Sequence, residues 1–326
     1  MPETPSVSVI IVSWNAKDYL VKCLRSLNGQ APRYPLEIIV VDNASTDGSP
    51  EAVEHEFLAV RVIRTGANLG FAKANNIGIR ASSGDYVCLV NSDVEVLPGC
   101  ITRLVDYCQQ HPEVGMVGPR IRGRDGKLQR SCRGFPGLWN MFCRALALDA
   151  ICPKARFFGG YLLPFWAHDS ICQVDILSGC FWLARRQAVD KVGLLDESFF
   201  MYGEDMDWCK RFWNGGWPLT FVNDAEAIHY GGASSANAPM RFFIEKQRAD
   251  FQYWEKHHNW IAQRGFFAIS ALSHLIRTIA FGGVWLSHLR PQGDVRFKFL
   301  RSLKCLVWLF TIEPKTPSAR QPIPPK

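Results

Sequence analysis

Val7-Ser8-Val9-Ile10-Ile11-Val12-Ser13-Trp14 is a nearly continuous apolar run rich in β-branched residues, the pattern of a strand buried on both faces. The pattern returns at Glu37 to Asp42, Val60 to Arg64, Asp85 to Val90 and Gly115 to Val117. Helical spacing fills the gaps. Lys17 to Leu27 puts Tyr19, Leu20, Cys23, Leu24 and Leu27 on one face, and Gly70 to Ala81 and Pro98 to Cys108 supply two further helices. Ser49-Pro50-Glu51 reads as a helix start, with Ser49 as the cap and Pro50 in the first turn. Strands alternating with helices of this length predict βαβ units, an α/β fold with a mostly parallel sheet and helices on both faces. Ligands of such sheets lie at the carboxyl ends of the strands.

Three of those strand ends carry polar clusters: Ser13-Trp14-Asn15, Asp42-Asn43-Ala44-Ser45-Thr46-Asp47 and Asn91-Ser92-Asp93. Each alone also reads as a turn, where Asp, Asn and Ser are common. Their convergence on one sheet edge predicts a binding site. Further on, residues 123–175 show no clear period and read as loops and short helices covering that edge. Val174 to Arg185 reads as a strand running through Ser178-Gly179, followed by a helix at Gln187 to Val192 and another at Glu204 to Trp213 that Gly215-Gly216 ends.

The chain has 326 residues, 48% apolar and 12% aromatic, enough for a sizeable core and incompatible with wholesale disorder. Its charge of +7 is uneven: residues 236–326 hold 14 basic and 5 acidic side chains, a balance of +9, and the rest is close to neutral. Pro239 opens an amphipathic helix to about His258. Phe266 to Leu289 is apolar but interrupted by His274, Arg277 and His288, and its longest charge-free run is short for a membrane span. Arg296 to Ile312 mixes Phe and Leu with Lys and Arg, the pattern of a helix lying in a membrane interface. An anionic membrane surface, not nucleic acid, is the expected partner of this tail, and Pro314 to Lys326 is expected to be disordered. The eleven cysteines form no Cys-x-x-Cys pair, and Cys23, Cys88 and Cys209 read as buried small hydrophobes suited to a reducing compartment. Met1-Pro2-Glu3-Thr4-Pro5 has no basic and apolar leader pattern, so no signal peptide is expected.

The chemistry concentrates in Gly203-Glu204-Asp205-Met206-Asp207-Trp208, with His229-Tyr230-Gly231-Gly232 about twenty residues later. Asp93 at a strand end is a hard oxygen ligand for a divalent cation, and His229 an imidazole partner acceptable to manganese. Asp205 or Glu204, at a helix N-terminus that favours the ionised form, could act as general base. The competing reading is a helix cap with salt bridges to Lys210 or Arg211. Gly66-Ala67-Asn68-Leu69-Gly70 lacks the dinucleotide fingerprint, and the chain holds neither a P-loop nor a Gly-x-Ser-x-Gly elbow, which leaves oxidoreductase, NTPase and serine hydrolase readings without their parts.

Taken together these segments resemble glycosyltransferase family 2, the inverting transferases of GT-A fold, in the right order over roughly residues 6–235. The resemblance rests on Val9 to Asn15, Val40 to Asp47, Asn68 to Asn76, Asn91-Ser92-Asp93 at the place of the family's Asp-x-Asp, and Asp196 to Asp205. Asn91 replaces the first carboxylate of that motif, a variant resembling bacterial rhamnosyltransferases. The resemblance implies a nucleotide-sugar half at 1–120, an acceptor and catalytic half at 121–235 and a membrane-associating helical tail at 236–326. It implies a nucleoside-diphosphate sugar, with dTDP-rhamnose favoured, held by Ser13, Asn15, Asp42, Asn43, Asn68, Gly70, Lys73 and Asn91. Asp93 and His229 would hold a magnesium or manganese ion, and Asp205, with Glu204 beside it, would be the base. The acceptor would be lipid-linked or a glycan, at the cytoplasmic face of a membrane. A transferase of another hexose and a silent nucleotide-sugar-binding protein are the alternatives. A sugar-phosphate nucleotidyltransferase would need a Gly- and Arg-rich loop where Asn15-Ala16-Lys17-Asp18 stands.

Overall fold

A computed structural model describes residues 4–29, 33–231, 239–287 and 292–311. Gly232, the tail's start at Ala236, His288 and the Pro-rich end from Pro314 lie outside the described residues. In chain order the first elements are β1 (Val7–Ser13), α1 (Lys17–Asn28), β2 (Leu36–Asp42), α2 (Ser49–Glu56), β3 (Arg61–Arg64), α3 (Phe71–Arg80), β4 (Tyr86–Asn91), β5 (Val94–Val96), α4 (Cys100–Gln110) and β6 (Met116–Arg122). They are followed by β7 (Cys132–Arg133), α5 (Leu138–Ala145), α6 (Leu148–Ile151), β8 (Cys172–Gln173), β9 (Ile176–Leu177), β10 (Phe181–Arg185), α7 (Arg186–Val192), α8 (Glu204–Asn214) and β11 (Leu219–His229). Three long helices complete the chain: α9 (Pro239–His257), α10 (Trp260–Leu286) and α11 (Gln292–Thr311).

Two compact units divide the chain, one from residues 1–135 and 166–236, the other from 136–165 and 237–320. In the first, nine described strands form one sheet in the order β3-β2-β1-β4-β10-β6-β11-β5, with β8 pairing β11. β3, β2, β1 and β4 run parallel, as do β6 and β11, and β10 and β5 enter antiparallel. The expected halves, 1–120 and 121–235, both contribute strands. Alternate β1 residues point to opposite faces. Val7, Val9 and Ile11 pack with Leu20, Cys23, Leu24 and Leu27 of α1, Val53 of α2 and Leu104 of α4. Ile10 and Val41 meet α3 on the other face at Gly78, where a Cβ would come within 2.3 Å of the Ile10 side chain. Cys23 and Cys88 are buried in this cluster and Cys209 is buried on α8, as their apolar settings predicted.

Four local readings are corrected. Ser49 is not the cap of α2 but its first residue: Gly48 caps the helix, and the Asp47 carboxylate accepts the Ser49 N–H at 3.0 Å. The expected strand from Val174 to Arg185 is broken. β9 pairs β7 in a separate ribbon, and only β10 joins the main sheet, because Ser178 turns aside to donate its N–H to Ser131 O at 2.7 Å. The short strand at Gly115 to Val117 instead continues through Pro119 to Arg122. Pro119 has no N–H to give, and the register of β11 slips between Val222 and Glu226 opposite it. Finally, the apolar run read from Phe266 belongs to a longer helix that already begins at Trp260.

In the second unit, Leu138 of α5 packs on Gly265 of α10, Trp254 of α9 stacks on Phe266 at 4.6 Å, and Gln247 donates to Cys305 O of α11 at 3.1 Å. α10 is 27 residues long, about 40 Å at 1.5 Å per residue. By length and composition it is the one described helix long and apolar enough to cross a membrane. Trp260, Ile261, Leu275, Ile279 and Leu286 are exposed along it.

Candidate active site

Parallel pairing sets Ser13 against Asp42 and Val12 against Asn91, so the three polar strand ends meet in register. Beyond them opens a cleft of about 280 Å³ within the first unit. One wall is Trp14, Asn43, Asn68, Gly70 and Phe71, the floor is Asn91, Ser92, Asp93 and His229, and the far wall is Ser178 to Cys180, Met201, Tyr202, Glu204 and Asp205.

The first wall is built from amides. Asn43 is buried, its Nδ2 donates to Asn68 Oδ1 at 3.0 Å and to Gly70 O at 3.3 Å, and its Oδ1 accepts the Leu69 N–H at 2.9 Å. Asn76 holds the back of α3. It exchanges hydrogen bonds with the Leu195 backbone at 2.8 and 3.0 Å and donates to Glu197 at 3.0 Å. Burial of Glu197 would raise its pKa, but the bonds from Asn76 and Arg80 outweigh it and hold that carboxyl below its ordinary value.

The floor depends on an edge pairing. β11 runs antiparallel to β5 with His229 opposite Val94, and His229 Nε2 stands 3.3 Å from Asp93 Oδ1. Tyr230 pins this corner. Its N–H donates to Asp93 O at 2.9 Å, its hydroxyl donates to Glu95 at 2.7 Å, and Lys22 of α1 bonds both the hydroxyl and, at 3.0 Å, Glu95. A carboxylate and an imidazole nitrogen converging on one point suit a divalent cation that takes its remaining oxygens from a diphosphate and water. Among the described residues no group of three or more His, Cys, Asp or Glu side chains forms, so no third carboxylate, imidazole or thiolate joins this pair there.

The far wall carries the carboxylates. α8 starts after Gly203 (φ 81°) with Glu204, Asp205 and Asp207 in its first turn. The salt bridge of the competing helix-cap reading exists, but on Asp207, which is fully buried and bonds Arg211 Nε at 2.9 Å. Lys210 lies over the Phe135 ring instead. Asp205 and Glu204 face the cleft, Glu204 with only 6% of its surface exposed and Asp205 with more. Cys180 also lines it, but burial pushes its thiol up to about 12, so no thiolate nucleophile stands there near neutrality.

Not every expected ligand reaches the cleft. Asn15 (φ 49°) spends its side-chain oxygen on the Thr46 N–H at 2.7 Å, and Asp42 turns both carboxylate oxygens to the Ser45 N–H. Ser13 is buried behind the lining, and Lys73 is exposed on α3 outside it. Conversely, Gln129, whose amide reaches the His229 ring, was not read from the sequence, Ser178 was read only as part of a strand, and Met201 and Tyr202 (φ 66°) only as members of the Asp196 to Asp205 segment. The Ser178-Gly179 pair did carry a signal, since Ser-Gly pairs mark turns.

A family profile described as Glycosyl transferase family 2 matches residues 8–193, more than half the chain. The chain belongs to that family. It is 32% identical over 269 residues to an N-acetylglucosaminyl-diphospho-decaprenol L-rhamnosyltransferase of Mycobacterium tuberculosis, covering 79% of this chain and 87% of the relative. It is 26% identical over 279 residues to rhamnosyltransferase WbbL of Escherichia coli K12, covering 82% and 99%. Among solved structures it resembles the mannosyltransferase PcManGT of Pyrobaculum calidifontis, in complex with GDP-Man and Mn2+, with TM-score 0.55 and 18% identity over 94% of this chain and 88% of that one. The GT-A fold is therefore the fold of this family member, a glycosyltransferase whose relatives include named rhamnosyltransferases.

Proposed function

We propose that this glycosyltransferase moves rhamnose from a nucleoside-diphosphate donor, dTDP-rhamnose, to a lipid-linked or glycan acceptor in cell-surface polysaccharide synthesis, with inversion. The observation that carries the reading is the single cleft in which Asp205 faces the Asp93–His229 pair across from the Asn43–Asn68 wall. Residues 1–120 then hold the nucleotide and residues 121–235 the acceptor and base. Asn43, Asn68 and Gly70 shape the nucleotide wall, and Asn91 lines the floor beside Asp93. Ser13, Asn15 and Asp42 act by fixing the loops that carry this wall. Asp93 and His229 would hold a magnesium or manganese ion, which supplies charge neutralisation for the leaving diphosphate when bound. Asp205 takes the proton of the acceptor hydroxyl as that oxygen attacks the anomeric carbon from the face opposite the nucleotide. Asp205 stands in the first turn of α8, where the helix dipole favours negative charge. One displacement inverts the anomeric centre and leaves no sugar on the enzyme.

The deciding experiment measures nucleotide release from a panel of sugar nucleotides with a polyprenyl-diphosphate-linked acceptor. dTDP-rhamnose should turn over fastest. Faster release from a mannosyl, galactosyl or N-acetylglucosaminyl donor would replace the sugar, and release from none would favour a silent binding protein.

The tail extends the proposal to place. Its +9 balance and the exposed apolar side of α10 suit an anionic membrane at the cytoplasmic face, where each basic residue contributes ~1 kcal/mol. Arg277 in mid-helix disfavours a bare span, because a charge at the bilayer centre costs ~2.5 kcal/mol or more. The full chain should float with anionic vesicles at low salt, not with neutral ones, and dissociate at high salt. No flotation at low salt would end the membrane reading, and flotation that survives alkaline wash would mean that α10 spans.

A further inference from the structure

We propose that Gln129 is a positioning residue for the divalent cation, acting through the His229 ring. The inference rests on the cation reading of Asp93 and His229 given above. The segment after β6 folds back on itself: Gly123 N–H donates to Lys127 O at 2.8 Å, and Gln129 N–H donates to Ile121 O at 2.9 Å. This hairpin brings the Gln129 side chain to His229 Nδ1, with Nε2 at 3.0 Å and Oε1 at 3.2 Å. Both ends of one amide thus lie within hydrogen-bond reach of one ring nitrogen.

That geometry matters because the two ring nitrogens of a neutral histidine are complementary, one a donor and the other an acceptor. His229 Nε2 faces Asp93 Oδ1 at 3.3 Å. With the Gln129 nitrogen turned to Nδ1, the amide donates, Nδ1 accepts, and Nε2–H donates to Asp93. In this arrangement Nε2 offers nothing to a cation. With the amide turned over, Nδ1–H donates to Oε1 and the Nε2 lone pair faces the space beside Asp93, ready for a cation. A glutamine serves both arrangements by a half-turn of its terminal torsion. A carboxylate in its place accepts only and fixes the second arrangement. A thioether such as Met supports neither. Partners of this kind commonly alter metal affinity by ten- to a hundredfold.

The test uses the full-length protein with manganese, free Mn2+ being read by its paramagnetic resonance signal in the presence of dTDP. Gln129→Met is expected to weaken Mn2+ binding roughly 10- to 100-fold, and Gln129→Glu to keep or tighten it. Binding of dTDP in chelator should stay unchanged in both. Gln129 is half-buried in a surface hairpin, so these variants should fold, and Gln129→Asn, which keeps the amide but shortens its reach, is the second loss variant. An independent readout is the 15N spectrum of the His229 ring with diamagnetic Mg2+ and dTDP: Nδ1 should carry the proton. Wild-type Mn2+ affinity in Gln129→Met and Gln129→Asn, or an unprotonated Nδ1 in the loaded protein, overturns the proposal. Wild-type Mn2+ affinity in Asp93→Ala and His229→Ala sinks the cation reading itself, an outcome distinct from the first.

Discussion

Asp205→Asn should bind donor nucleotide as the wild type does and lose ~100-fold or more of its turnover, the usual weight of a general base. The substitution keeps the shape of the side chain, and the amide oxygen can still accept the Met206 N–H that Asp205 Oδ1 holds at 2.9 Å. The start of α8 therefore survives, and what disappears is the ability to take a proton. The other carboxylates of that turn cannot substitute. Asp207 is committed to Arg211, whose guanidinium also donates to Val192, Gly193 and Leu194 carbonyls, a structural staple of the loop before the site. Glu204 is almost wholly buried, so a bulky acceptor reaches Asp205 first, and Glu204→Gln should be milder. The check is a pair of curves, dTDP binding by calorimetry and steady-state nucleotide release. More than about a tenth of the wild-type rate in Asp205→Asn would move the base elsewhere.

Much of this arrangement could be read from residue order because buried parallel strands advertise themselves. Val9-Ile10-Ile11 cannot face water on either side, so β1 had to be central, and the helices that alternate with it had to cover both faces. The polar residues that end such strands then had to share one edge, and Asn43, Asn91 and Asp93 do. What stayed hidden depends on contacts between segments far apart in sequence. Asp93 and His229 were paired from the chemistry of their side chains, but the means of their meeting, β11 pairing with the short edge strand β5, is marked by no periodicity. Gln129 lies in a stretch without any period, and its role appears only when the hairpin turns it to the ring. Asp42 and Asn15 do not line the cleft: Asp42 accepts the Ser45 N–H of its own turn, and Asn15 reaches across to the Thr46 N–H and so ties the loop after β1 to the loop after β2. The far wall was legible as the Asp196 to Asp205 segment, but the turn at Tyr202 within it was not, because a left-handed backbone at a tyrosine has no sequence signature.

The joint between the two walls makes the strongest steric prediction. Gly70 has φ 84° and ψ 178°, a conformation open to glycine and costly for other residues. A Cβ there would lie 2.4 Å from the Phe200 carbonyl oxygen and 2.8 Å from its ring, and the Phe71 N–H donates to that same oxygen at 2.8 Å. The nucleotide wall and the segment leading to Met201, Tyr202 and Asp205 thus touch backbone to backbone, and no side-chain rotation can relieve a methyl group between them. Gly70→Ala should lose stability on the order of 1–3 kcal/mol from strain. More tellingly, it should lose roughly 100-fold in kcat/KM by moving Asp205 away from the donor, since a misplacement of about 1 Å has that effect. Gly66→Ala separates the two causes. Gly66 also has a positive φ, 75°, but a Cβ there meets nothing within 4 Å, so it should show only left-handed strain, about 1–2 kcal/mol, with near-normal kcat/KM. Thermal melts and steady-state rates on both variants decide the matter. If the two lose activity equally, the walls are not aligned through Gly70, and the spacing between nucleotide and base must be set by another contact.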